Sequence, residues 1–346
     1  MIDCDIHNAL PSVQALLPYL PAWWQDYVTE SGFTAPDARS YPVGAPILAR
    51  PDARLAGGAP AGSDLTLLRE DVFTTWGADY GILNCVYGIS SLHNEDFAAA
   101  LASALNDCQL AEWLQHEPRL RASLVVPSQN PPLAAAEIDR LGTHPSFVQV
   151  LLPVRSEAPY GKRRYWPIFE AAARLELPVG IHVGGAPGAP STAVGWPSFY
   201  IEDDVNMTQA FQAQVLSLVS EGVFCKFPRL RVVLIEGGFT WMPALMWRFD
   251  KNWKGLRREI PWLVEPPSYY IREHMRLTIQ PLDTPPEPHH ILQVIEHLGS
   301  DEMLLFATDY PHQRVDAPDD ALPAALSPDL RRKIMHENAQ ALYGLA

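Results

Sequence analysis

Cysteine is scarce in this 346-residue chain: Cys4, Cys85, Cys108 and Cys225 stand far apart, and no two form a CxxC pair. That spacing excludes a disulfide framework and a thiolate zinc site, and it leads us to expect reduced thiols in a cytoplasmic protein. Positive charge is also in deficit. Lysine and arginine number 26 against 40 acids, a formal net charge of -14 with no long basic run, so nucleic acid and anionic membrane surfaces are excluded as partners. No uninterrupted apolar run reaches transmembrane length, and the first residues are acids rather than a basic segment followed by an apolar one. We therefore expect neither membrane insertion nor export.

Hydrophobic residues make up 47% of the chain, enough for a large buried core, and the length suits one elaborated α/β barrel or two modest domains. Short apolar runs of strand type recur along it: IDCDIH, DYGILNCVY, LRASLVVP, FVQVLLPV, LPVGIHV, LRVVLIE, MRLTIQP and MLLFATD. Between them lie amphipathic segments of helical length, among them DFAAALASALNDCQLAEWLQ, PLAAAEIDRL, YWPIFEAAARLE, TQAFQAQVLSLVSEG and HHILQVIEHLG. Strand followed by helix, repeated, means parallel strands with helical crossovers. Eight such units predict a (β/α)8 TIM barrel spanning 1–346 as a single domain, with a doubly wound eight-stranded sheet as the alternative that periodicity leaves open. Residues 8–70 read as a loop-rich, proline-containing insertion with one short helix, placed over the mouth of the barrel. The closing SPDLRRKIMHENAQALYGLA reads as the last outer helix, capped by Ser327 ahead of Pro328.

The opening stretch MIDCDIHNAL places Asp3, Asp5 and His7 at every second position, hence on one face of a strand, with Ile2, Cys4 and Ile6 on the other. Taken alone, that pattern describes a solvated edge strand. Barrel enzymes, however, keep their chemistry at the carboxyl ends of the strands. The first run ends in Asp5 and His7, the fifth in His182, the sixth in Glu236 and the eighth in Asp309. One strand-end histidine is more often a hydrogen-bonded structural residue than a ligand. Five nitrogen and oxygen donors converging from four strands instead describe a site for a divalent cation such as zinc or manganese, with positions left open for water. Asp3, one pleat further down, reads as a hydrogen-bond acceptor beneath that site.

IDCDIH, LPVGIHVGG, FPRLRVVLIEGGFTWMP, FATDYPH and ENAQALYG, in that order along nearly the whole chain, resemble the amidohydrolase superfamily. The similarity is to the amidohydrolase-related group containing aminocarboxymuconate-semialdehyde decarboxylase and aromatic-acid decarboxylases. It implies a distorted barrel holding one divalent metal, zinc first and manganese second. By the same resemblance Asp5, His7, His182 and Asp309 are metal ligands, and Asp309 can also shuttle a proton. The sixth strand departs from the pattern, because family decarboxylases generally carry histidine where this chain has Glu236. Glu236 is either a general acid/base or a group that orients a ligand imidazole. His312, three residues beyond Asp309, can touch substrate or bond Asp309. The resemblance also implies a homodimer.

Three functions follow as expectations. The main one is a metal-dependent hydrolase that activates water to cleave an amide, ester or lactone of a small organic substrate, with Asp309 or Glu236 moving the proton. The alternatives are a non-oxidative decarboxylase of an aromatic or enolic acid, weakened by the missing histidine, and a barrel that binds without catalysis. Secondary residues read mostly as structure. Trp241, Trp247 and Arg248 form a helix-packing stripe, Trp23 and Trp24 are buried in the core or a dimer contact, and Arg155 forms a surface ion pair in preference to gripping a substrate carboxylate.

Overall fold

A computed structural model describes residues 1–36, 58–185, 190–287, 289–312 and 318–345. Eight parallel strands pair strictly in chain order: β1 (Ile2–Ile6), β2 (Tyr80–Leu83), β3 (Leu120–Val125), β4 (Phe147–Pro153), β5 (Val179–His182), β6 (Val232–Ile235), β7 (Met275–Thr278) and β8 (Leu304–Leu305). The last strand returns to the first, where the Cys4 amide donates to Phe306 O at 3.0 Å and the His7 amide to Tyr310 O at 2.7 Å. This is the nearly closed (β/α)8 barrel the unit count predicts, and the ring closure excludes the open doubly wound sheet.

Helices form where the apolar spacing changes from two to three and four. In Glu95–Gln109, Phe97, Leu101, Leu105 and Cys108 share one buried stripe, and Asn94 caps the helix by accepting from the Phe97 amide at 3.1 Å. Pro131–Leu141 begins with proline, whose fixed φ and missing N–H suit a first turn, and the Asn130 side chain accepts from the Leu133 amide at 3.1 Å. The predicted Ser327 cap is present: its hydroxyl accepts from the Leu330 amide at 3.3 Å ahead of the closing helical segments.

Every residue of β1 is buried, so the solvated edge strand is overturned. Both its neighbours, β2 and β8, cover it, and its register against β2 shifts between Asp3 and Ile6. The insertion holds a 3-10 helix (Val13–Tyr19), an α-helix (Ala22–Ser31) and a short turn of helix (Leu65–Leu68); residues 37–57 of it lie outside the described residues. Its returning arm reaches the barrel mouth at Gly62, where a Cβ would sit 2.3 Å from the His7 carbonyl oxygen. Only glycine fits that approach, and its φ of 79° is also one that other residues avoid.

Three secondary readings change. Trp24 packs on Phe97 with ring centroids 4.9 Å apart, but Trp23 is 67% exposed, because only one side of its helix faces the barrel, so of its two expected places, core or dimer contact, the core is ruled out. Trp241 is half-buried against the core, whereas Trp247 and Arg248 lie on the exposed side of Met242–Leu256. Arg155 is buried, not superficial, and pairs with the fully buried Asp203.

Candidate metal centre

Asp5 is the next-to-last residue of β1 and His7 follows the strand; His182 ends β5, Glu236 immediately follows β6, and Asp309 lies four residues past β8. Barrel closure brings these termini to one mouth. His182 Nε2 stands 3.3 Å from Asp5 Oδ1 and 3.7 Å from Glu236 Oε2, and His7 Nε2 stands 3.0 Å from Asp309 Oδ1, 3.6 Å from Asp5 Oδ1 and 4.0 Å from Glu236 Oε2. Donor atoms of Asp5, His7, His182 and Glu236 all lie within 4.8 Å of one another, as do those of a second trio, His7, Asp309 and His312. His7 belongs to both. All five residues singled out for the centre therefore meet in space, and His312 joins them through a 2.5 Å contact between its Nδ1 and Asp309 Oδ1.

Two features of the backbone aim these groups. Glu236 and Asp309 adopt φ of 60° and 61°, left-handed values that turn each side chain away from where a continuing strand would send it. The Glu236 amide is held by Thr278 Oγ1 at 2.9 Å, from the end of β7. Behind Glu236, a Cβ on Gly237 would meet the Phe211 ring at 2.8 Å, so the turn runs hard against a core helix.

The donor set fits a divalent cation. His182 Nδ1 donates to its neighbour's carbonyl, Val183 O, at 2.7 Å, which leaves Nε2 directed at the carboxylates. Asp5 Oδ2 is buried and has no hydrogen-bond partner among the described residues. Such an orphaned atom costs about 1–3 kcal/mol unless something binds it. Oxygen and imidazole nitrogen without sulfur suit manganese and zinc alike.

Electrostatics points the same way. Burial opposes ionisation of Asp5, but the facing imidazoles of His182 and His7 outweigh it and hold the carboxyl below its ordinary range. Burial likewise opposes ionisation of Asp309, and hydrogen bonds from His312 and His7 keep it well below that range. Burial holds His7 below the usual imidazole value, so its lone pair is available. On His182 burial is overcome by Asp5 and Glu236, which raise it to about 9. Without metal, a proton on His182 offsets the surplus carboxylate charge, a task a bound cation would take over.

Asp3 sits apart from the cluster, as expected: it accepts from the Thr308 amide at 3.0 Å and hydroxyl at 2.5 Å, and from the Asp5 amide at 3.2 Å. Sequence reasoning missed Asn84 at the end of β2. Its Nδ2 donates to Asp5 Oδ1 at 2.9 Å and to Cys4 O at 3.1 Å, while its Oδ1 accepts from Ser123 Oγ at 2.6 Å and Gln149 Nε2 at 3.1 Å. From the far end of the barrel, the Tyr343 hydroxyl donates to Gln149 Oε1 at 3.1 Å. The available signal was a polar residue in each of the otherwise apolar runs DYGILNCVY, LRASLVVP and FVQVLLPV.

A parallel eight-stranded barrel with imidazole and carboxylate donors gathered at its carboxyl mouth defines a metal-dependent enzyme class. The amidohydrolase family model matches residues 2–345, and the chain belongs to that family. A gamma-resorcylate decarboxylase of Polaromonas sp. is 28% identical over 253 residues, covering 68% of this chain and 74% of the relative. Among solved structures, the 5-carboxyvanillate decarboxylase of Novosphingobium aromaticivorans complexed with manganese and a nitrobenzoic acid superposes with a TM-score of 0.74 at 20% identity, covering 99% of this chain and 96% of that one. A dihydroxybenzoic acid decarboxylase from Polaromonas sp. with bound manganese and 2-nitroresorcinol gives 0.68 at 23% identity, with the same coverage. Among the described residues no helix is long and apolar enough to cross a membrane.

Proposed function

We propose that this enzyme is a metal-dependent, non-oxidative decarboxylase of hydroxylated aromatic acids. The observation that carries the reading is that curated relatives aligned over more than two thirds of the chain are gamma-resorcylate decarboxylases. It displaces the hydrolase expected first from the sequence. Manganese, present in the two related structures above, replaces zinc as the preferred metal.

Asp5, His7, His182 and Asp309 hold the ion in this reading, and when bound it supplies Lewis-acid neutralisation of an aromatic acid's carboxylate and adjacent phenolic oxygen. Glu236, buried and facing both imidazoles, stands where family decarboxylases generally have histidine. Its carboxyl gives a proton to the ring carbon that bears the carboxylate. The carbon–carbon bond then breaks, its electron pair restores the aromatic ring, and carbon dioxide leaves; Glu236 recovers a proton from solvent. The sum is one acid anion and one proton in, one phenol and one carbon dioxide out, with no redox change. Asp309 is ionised and held by His312, which suits a ligand better than an acid.

The test is carbon dioxide release from 2,6-dihydroxybenzoate and 5-carboxyvanillate, run beside a panel of aryl esters and lactones. We expect turnover of a phenolic acid with manganese, its loss on chelation and its return on adding manganese back. Ester or lactone cleavage without carbon dioxide release would restore the hydrolase reading.

A further inference from the structure

Asn84 grips β1 at three consecutive residues. Its backbone amide donates to Ile6 O at 2.8 Å, and its Nδ2 donates to Cys4 O at 3.1 Å and to Asp5 Oδ1 at 2.9 Å. The grip falls where the β1–β2 ladder is irregular, since its register shifts between Asp3 and Ile6. An irregularity of this kind re-aims a side chain, and the buried backbone groups it takes out of the ladder need other partners. Asn84 supplies one to Cys4 O while holding the carboxylate of the next residue.

The orientation of Asn84 is itself determined. The end of its amide that faces a backbone carbonyl and a carboxylate meets two acceptors, so it is the nitrogen end. Oδ1 faces the other way, to Ser123 Oγ at 2.6 Å and Gln149 Nε2 at 3.1 Å, and Gln149 Nε2 also donates to Ser123 Oγ at 2.7 Å. All three side chains are fully buried. β5 leaves room for them, because a Cβ on Gly180 would lie 3.1 Å from Gln149 Cδ and Oε1. Turning the Asn84 amide over would set oxygen against two oxygens at β1 and nitrogen against nitrogen at Gln149. The donor aimed at Asp5 is thus locked by the barrel interior.

We propose that Asn84 is a positioning residue of the metal centre: it fixes the rotation of the Asp5 carboxylate, so that metal affinity depends on a side chain outside the donor cluster. It claims Oδ1 and leaves Oδ2 without a partner among the described residues. The inference rests on the reading of Asp5 as a metal ligand and is independent of which bond the enzyme breaks. Without the Asn84 donor the carboxylate is free to turn, and binding an ion must then order it, at a cost in affinity.

The experiment titrates manganese into metal-free wild type, Asn84→Ala, Asn84→Leu and Tyr343→Phe by calorimetry. Thermal unfolding of the metal-free proteins and visible spectra of the cobalt-loaded ones, whose bands report ligand geometry, are recorded alongside. Asn84→Leu fills the space that Asn84→Ala empties and stands in for it should that variant not fold. Tyr343→Phe removes the hydrogen bond to Gln149 Oε1 at the far end of the same network without touching Asn84, and so controls for a loosened barrel. Both Asn84 variants are expected to bind manganese about 10- to 100-fold more weakly and to shift the cobalt spectrum. Tyr343→Phe is expected to lose stability but to match wild type in affinity and spectrum. Asn84 variants that bind manganese as wild type does, or a loss in Tyr343→Phe equal to theirs, overturn the inference and leave the metal centre standing. A wild type that takes up no manganese overturns both.

Discussion

Asp3 and Asp5 are two residues apart on one buried strand, yet their surroundings are opposite. Asp3 is saturated by the amide and hydroxyl of Thr308 and the Asp5 amide, whereas Asp5 keeps one oxygen without a partner among the described residues and shares the other with Asn84 and His182. The same contrast separates the two levels of the barrel interior. Below, Asn84, Ser123, Gln149 and Tyr343 exchange hydrogen bonds among themselves; above, imidazoles and carboxylates crowd together at ion-pair distances with donor atoms left over. Satisfied buried polar groups hold a barrel together, and unsatisfied ones of matching ligand chemistry mark where something else binds.

The sharpest way to break that comparison is to neutralise each aspartate in turn. Asp5→Asn is expected to lose stoichiometric manganese, and with it turnover, while the metal-free protein melts close to wild type. Asp3→Asn should retain metal and lose about 1–3 kcal/mol of stability, because an amide cannot accept from both of its Thr308 donors. Metal analysis beside denaturant unfolding reads both, and the reverse pattern would place the centre on the wrong level. Next in size, Glu236→Gln should retain metal and acid binding but lower turnover about 10²- to 10⁴-fold, the usual worth of a positioned proton donor. A loss confined to metal affinity, about 10- to 100-fold, would instead make Glu236 a group that orients His182.

The smallest effect concerns pH. The folded metal-free protein binds the His182 proton more tightly than an unfolded chain does, since its value of about 9 lies above the ordinary 6.5. The stability from this group is fully present below about 6.5 and is lost as pH rises to about 9. Manganese affinity moves the opposite way, climbing over that interval as the competing proton leaves. Unfolding of the metal-free protein from pH 6 to 9.5 checks this, with His182→Gln expected to remove that part of the slope.

Much of the site was legible because its residues end strand runs, and a parallel barrel collects strand ends at one mouth whatever lies between them. Asp5, His7, His182, Glu236 and Asp309 could be assembled from position alone. Asn84 could not, since a lone asparagine inside an apolar run does not declare which face it takes or what it meets across the barrel. Arg155 was misplaced for a related reason: an arginine just past a strand reads as surface until a buried Asp203, 48 residues away, is packed against it.

Periodicity, strand count and donor chemistry are properties of the chain, and they determined an α/β barrel whose mouth gathers imidazole and carboxylate donors. Distances belong to the fold. Ring closure between β8 and β1 brought Asp309 within 3.0 Å of His7, left-handed turns at Glu236 and Asp309 aimed two carboxylates that no propensity predicts, and packing left Asp5 Oδ2 without a partner among the described residues. Each results from contacts between residues far apart in sequence, and local spacing holds no record of them.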